Sequence, residues 1–174
     1  MKIAVIGTSE FTLNCAQILI DNECIVSALV SLPKNNLPNN SANVKKFSLL
    51  NNISYFETSD INSNKSISYL EELKVDFILS TWPHIILKRV IDIPKYGVIG
   101  THPTLLPRNR GRHPLNWMVS LGISNSKMSF FKMDETIDGG NILVQEPFIV
   151  GDNINSANHN MIEAVKNGLI NLIM

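Results

Sequence analysis

The chain has 174 residues, enough for one compact domain and too few for two of ordinary size. Its 15 lysines and arginines match its 15 aspartates and glutamates, so no net field draws it to DNA or to anionic lipid. The two cysteines, Cys15 and Cys24, form neither a disulfide framework nor a metal-ligand spacing, and each sits in an apolar stretch as a small hydrophobe would.

The opening run Ile3-Ala4-Val5-Ile6 stops at Gly7 and predicts a strand buried on both faces. It is too short for a signal-peptide core, and no later run could span a bilayer, so a cytoplasmic protein without membrane contact is expected. Phe11, Cys15, Ile18 and Leu19 recur at helical spacing behind Thr8 or Ser9 as N-cap. Residues 25–30 read as the next strand, completing a βαβ unit and implying a parallel sheet with a right-handed crossover. Over residues 34–52 asparagine dominates, and Pro33 and Pro38 break the pattern, which predicts a long surface connection with one helical turn at 44–50. A polar segment follows at 58–66. Residues 76–80 and 96–100 read as two more buried strands and 115–121 as a helix. Residues 128–133 and 141–150 read as later strands joined through Asp138-Gly139-Gly140. Residues 155–174 close the chain as a helix, apolar at Met161, Val165, Leu169 and Leu172. The expected architecture is a single three-layer α/β domain over residues 1–174, a mostly parallel central sheet with helices on both faces. The apolar residues 170–174 leave open a truncated chain or packing against a partner subunit, a homodimer included.

No G-x-G-x-x-G follows the first strand, where the sequence runs Gly7-Thr8-Ser9-Glu10-Phe11. A dinucleotide pyrophosphate needs that close backbone approach, so nicotinamide and flavin chemistry are disfavoured. There is also no P-loop, no G-x-S-x-G elbow and no H-E-x-x-H, and no metal is expected. The informative segment is 97–117, which leaves the carboxyl end of a predicted central strand, where open parallel sheets place ligands. His102 falls just past that edge, and Pro103, Pro107, Pro114 and Gly111 stiffen the loop that follows. On these features alone His102 reads equally as a strand cap. Asp138 precedes two glycines and by itself marks a turn. Together the pair is more informative, because a carboxylate beside an imidazole favours the charged ring and orients it.

Three stretches carry a resemblance: His102-Pro103-Thr104-Leu105-Leu106-Pro107, then Arg110-Gly111-Arg112, then Asp138-Gly139-Gly140, after the opening Gly7-Thr8-Ser9-Glu10-Phe11. In this order they resemble the signature of the folate-dependent formyltransferases, across most of the chain. The resemblance implies a Rossmann-like formyltransferase domain that uses 10-formyltetrahydrofolate as formyl donor. It implies His102 and Asp138 as the catalytic pair. Thr104, Leu105, Leu106, Pro107, Arg112 and Asp134 would line the folate site, and the main chain of His84, Ile85 and Ile86 would meet the pterin-like ring.

One departure stands out. The family carries asparagine two positions before the histidine, as an oxyanion donor, and this chain has Gly100. Losing such a donor costs roughly 10²–10³ in turnover. Either another amide, Asn109 or Asn116, substitutes for it, or the domain binds folate without turnover. The stretch 110–117 is most similar to family members acting on amino sugars, so the expected amine is a nucleotide-linked amino sugar for surface polysaccharide. A carrier- or tRNA-bound amino acid is the alternative. Trp82 and Trp117 could stack on a base, but core packing is the expectation for both.

Overall fold

The computed structural model describes residues 1–39 and 41–174; Asn40, in the expected surface connection, lies outside the described residues. The chain divides into two compact units, Met1–Ile99 and Gly100–Met174.

The first unit is built on a parallel sheet. Its centre is β1 (Lys2–Gly7), whose residues Ile3 to Ile6 are fully buried, as the continuous apolar run requires. On one side lies β2 (Ile25–Ser31), with Lys2 opposite Ile25 and Ile6 opposite Val30; on the other lies β4 (Phe77–Thr81), with Ile3 opposite Phe77. The outer strand β3 (Ser54–Glu57) pairs parallel with β2, giving the order β3-β2-β1-β4. Helix α1 (Glu10–Asp21) starts at Ser9, whose hydroxyl accepts from the Thr12 amide while Thr12 returns the bond to the Ser9 N–H. Such a capping box is worth about 1 kcal/mol. Gly7 is required just before it, because a Cβ there would collide with the hydroxyls of Thr12 and Thr81.

The helical turn expected at 44–50 is α2 (Val44–Leu50), capped by Asn43 and preceded by a short 3-10 turn at Lys34–Asn36. Three elements arise where the sequence suggested none: β3, α3 (Asn64–Leu73) and α4 (Lys88–Ile91). Strand β3 lies at the outer end of this order and has no buried residue, so it lacks the apolar run that marks its neighbours. Helix α3 buries only Ser66 and Leu70, and its start is set by the Ser63 cap rather than by an apolar stripe.

Strand β5 (Val98–His102) begins in the first unit and ends in the second. It runs two residues later than expected, so His102 is its last residue rather than a residue beyond it. The cause is a turn: the Gly97 amide donates to the Pro94 carbonyl, and Gly97 takes φ 97°, which delays the extended conformation.

In the second unit, helix α5 (Pro114–Ser120) follows the loop after β5, and β6 (Asn125–Lys132) and β7 (Ile142–Ile149) form an antiparallel pair with Met128 opposite Glu146. Helix α6 (Ile154–Ile173) buries Met161, Val165 and Leu169, and Leu172 is half-buried. At Gly168 the helix backbone approaches the Phe130 ring so closely that a Cβ would collide with it. Trp82 is buried as expected, but Trp117 is 64% exposed, because the seven-residue α5 buries only Met118. Cys15 is fully buried and Cys24 only half-buried.

Candidate active site

His102 ends β5 with its side chain 6% exposed. Nε2 lies 2.9 Å from the Asn109 carbonyl oxygen, which can only accept, so Nε2 is assigned the proton. Nδ1 is then the nitrogen at which a second proton comes and goes. It faces Asp138 Oδ2 at 3.7 Å, too long for a hydrogen bond and close enough for strong charge interaction. The same Oδ2 accepts from the Gly111 N–H at 2.7 Å. Two bonds therefore tie one short loop to both members of the pair.

That loop is tightly curled. Within it Asn109 and His113 take φ values of 56° and 57° and Gly111 takes 106°; Asp138, in the β6–β7 connection, takes 46°. Asparagine and aspartate tolerate this left-handed region better than most side chains, and held strain of this kind clusters at functional sites. His113 sits there as the cap residue before Pro114 and α5.

Beneath the loop, Ser129 on β6 is fully buried and acts as a hub. Its hydroxyl donates to the Thr104 carbonyl at 2.6 Å and accepts from the Leu106 amide and from Gln145 Nε2. Gln145 also donates to the Leu106 carbonyl, and Ser126 Oγ donates to the Pro103 carbonyl. The Thr104 hydroxyl closes the turn on the Arg108 carbonyl at 2.9 Å. Every carbonyl from Pro103 to Leu106 except that of Leu105 is thus claimed by a side chain. Ser129 and Gln145 carry little signal in the sequence; what there is lies in a hydroxyl between two buried apolar residues, Met128 and Phe130.

Gly100 and His102, two apart on a strand, face the same side. A Cβ on Gly100 would lie 2.6 Å from Phe131 Cζ and 3.0 Å from Met133 Cγ. Phe131 is 3% exposed, so its ring occupies the space that a side chain at position 100 would take.

The remaining expected residues differ in exposure. Leu105 and Pro107 are exposed and Leu106 is buried. Arg112 is exposed, and so is the Asn109 side chain. Asp134 Oδ1 accepts from the Thr136 hydroxyl and amide, and these bonds hold its carboxyl below the usual carboxylate range, with a smaller contribution from Arg110. His84, Ile85 and Ile86 lie in the first unit. There the Asn62 side chain donates to the Ile85 carbonyl at 3.0 Å and accepts from the Leu87 amide at 2.8 Å, which shapes that turn. Among the described residues, no cluster of three or more His, Cys, Asp or Glu is placed to hold a metal, and no helix is long and apolar enough to cross a membrane. Chemically, a buried imidazole with one exchanging nitrogen facing a carboxylate can stabilise a developing anion and move a proton.

Residues 1–172 match the family described as formyl transferase. The methionyl-tRNA formyltransferase of Fusobacterium nucleatum is 32% identical over 156 residues, which cover 87% of this chain and 50% of that protein. The enzyme of the same name from Clostridium tetani is 32% identical over 88% of this chain and 51% of its own length. The chain spans about half the length of the curated relatives it matches. Among solved structures, a phosphoribosylglycinamide formyltransferase from Bacillus halodurans has the same fold, with a TM-score of 0.79 at 18% identity, covering 98% of this chain and 92% of that one. A formyltetrahydrofolate deformylase from Pseudomonas putida gives a TM-score of 0.75 at 16% identity, covering 97% and 62%.

Proposed function

Because the chain belongs to the formyl transferase family, we propose that residues 1–174 act as one catalytic domain moving a formyl group from 10-formyltetrahydrofolate to an amine. The observation that carries this reading is the His102–Asp138 pair, held from both sides by Asn109 and Gly111. 10-Formyltetrahydrofolate supplies the formyl carbon. His102, charged at both nitrogens, directs Nδ1–H toward the oxygen that becomes negative as the amine adds to that carbon. When the carbon–nitrogen bond to the folate breaks, His102 passes the Nδ1 proton to the departing nitrogen. Asp138 takes up the proton lost by the amine, through a water, and returns it to His102. One proton leaves the amine and one reaches the folate nitrogen, so the cycle closes.

In the second unit, Thr104, Leu105, Leu106, Pro107, Arg112 and Asp134 form our folate-facing set; in the first unit, the main chain of His84, Ile85 and Ile86 is the stretch we assign to a pterin-like ring. In the second unit, Leu105 leaves apolar surface exposed, which suits an aromatic ring system. The exposed amide of Asn109, one residue from Arg110, is the oxyanion donor we assign in place of Gly100. The names of the relatives favour an amino acid carried on tRNA as the amine. The amino sugar expected from residues 110–117 draws no support from them. A second reading, folate binding without turnover, is favoured by Gly100, where the Phe131 ring leaves no space for a donor side chain.

The test is formyl transfer followed by tetrahydrofolate absorbance, with methionine-charged tRNA and a panel of nucleotide-linked amino sugars as acceptors. Turnover on one acceptor, lowered by about 10²–10⁴-fold in His102→Ala and Asp138→Asn, is the expected outcome. Folate binding with no transfer to any acceptor would favour the second reading.

A further inference from the structure

The second unit holds a cavity of about 340 Å³ where the loop after β5 meets the start of β6. Arg108, Asn109, Ser126 and Lys127 line it, with apolar surface from Leu105 and Met118. Neither His102 nor Asp138 contributes to its wall, and nor does any carboxylate. The Arg108 and Lys127 side chains have no hydrogen-bond or ion-pair partner among the described residues, where the salt bridges are Lys88–Asp92 and His102–Asp138. Two like charges facing one concave space repel, and low-dielectric walls focus their field inward. An ammonium group is excluded from such a space, and a neutral sugar gains little from it. An oxyanion turns the repulsion into two charge-assisted contacts, one from Arg108 and one from Lys127. The volume lies at the small end of ligand pockets, so the occupant is a compact anion with a limited apolar body.

We infer that this cavity is a binding site for a phosphoryl group, bordering the proposed formyl-transfer site through Leu105 and Asn109 but with neither His102 nor Asp138 in its wall. Two sources share that chemistry: a phosphate carried by the amine substrate, or a free phosphate compound. The inference does not depend on formyl transfer, because occupancy can be read without turnover.

The experiment is calorimetric titration of the full chain with inorganic pyrophosphate, alongside Arg108→Gln, Lys127→Gln and Arg108→Lys, with Lys132→Gln as a control on the same strand. Saturable binding is expected in the unaltered chain. It should weaken about tenfold or more in each glutamine variant at the cavity, persist in Arg108→Lys, and be unchanged in Lys132→Gln. An amide titration by NMR in the unaltered chain should move Arg108, Ser126 and Lys127 first, which keeps the test independent of how the variants fold. No saturable binding, shifts confined to other residues, or equal binding in all folded variants would overturn the site. In a transfer assay, competition between pyrophosphate and the amine would assign the phosphoryl group to the amine substrate, and binding without effect on turnover would assign it to a free compound.

Discussion

At the scale of single residues, the loop that follows His102 is held by groups that do no chemistry. Ser129 is the clearest case: one buried hydroxyl serves the Thr104 carbonyl, the Leu106 amide and Gln145. Removing it in Ser129→Ala leaves buried polar groups short of partners, at about 1–3 kcal/mol. The small apolar gain of alanine does not offset this. We expect a lower urea midpoint by chemical denaturation, with the slope unchanged. His102 and Asp138 were singled out in the sequence by the family resemblance of their motifs, since by their own context the first read equally as a strand cap and the second as a turn. Ser129 was not, because a serine in a strand carries no sign of what its hydroxyl meets. The same limit hid the role of Asn109, which engages His102 through its backbone carbonyl rather than its side chain.

At the scale of elements, strong apolar runs and strong caps were readable, and marginal elements were not. Strands β1, β2 and β4 announced themselves by continuous burial, and α1 by Ser9 with its helical apolar spacing. Strand β3 and helix α3 bury too little for a pattern to show, and the start of β5 was shifted by a turn at Gly97 that composition does not signal. Helix α6 gives a test in which two effects oppose each other. By intrinsic propensity, Gly168→Ala should stabilise the helix by about 1 kcal/mol. The new methyl group would meet the Phe130 ring in a packed interior, and overpacking costs about 1–3 kcal/mol. The collision should win, so thermal unfolding of Gly168→Ala is expected below that of the unaltered chain. A higher midpoint would mean that Phe130 can give way.

At the scale of the whole molecule, stability should depend on alkaline pH through groups of the first unit. Complete burial pushes the Cys15 thiol up to about 12, from an ordinary value of 9.0. Between those values the unfolded chain has released this proton and the folded chain keeps it, so stability falls as pH rises through that window. Tyr55, raised to about 12 chiefly by burial and by Glu57, adds to the loss above its ordinary value of 10.0. Urea midpoints are expected to decline between pH 9 and pH 11 in the unaltered chain and to decline less steeply in Cys15→Ala. Parallel slopes in the two proteins would show that Cys15 does not set this behaviour. The sequence by itself determined the α/β class and the parallel strands of the first unit, because apolar runs and caps are local signals, and its motifs pointed to the candidate pair through their family resemblance. Only the tertiary structure decided that Ser129 braces the loop, that Phe131 fills the space beside Gly100, and that Arg108 shares a cavity with Lys127. Each of these depends on residues distant in the chain meeting at van der Waals or hydrogen-bond range, and no spacing along a sequence encodes such a meeting.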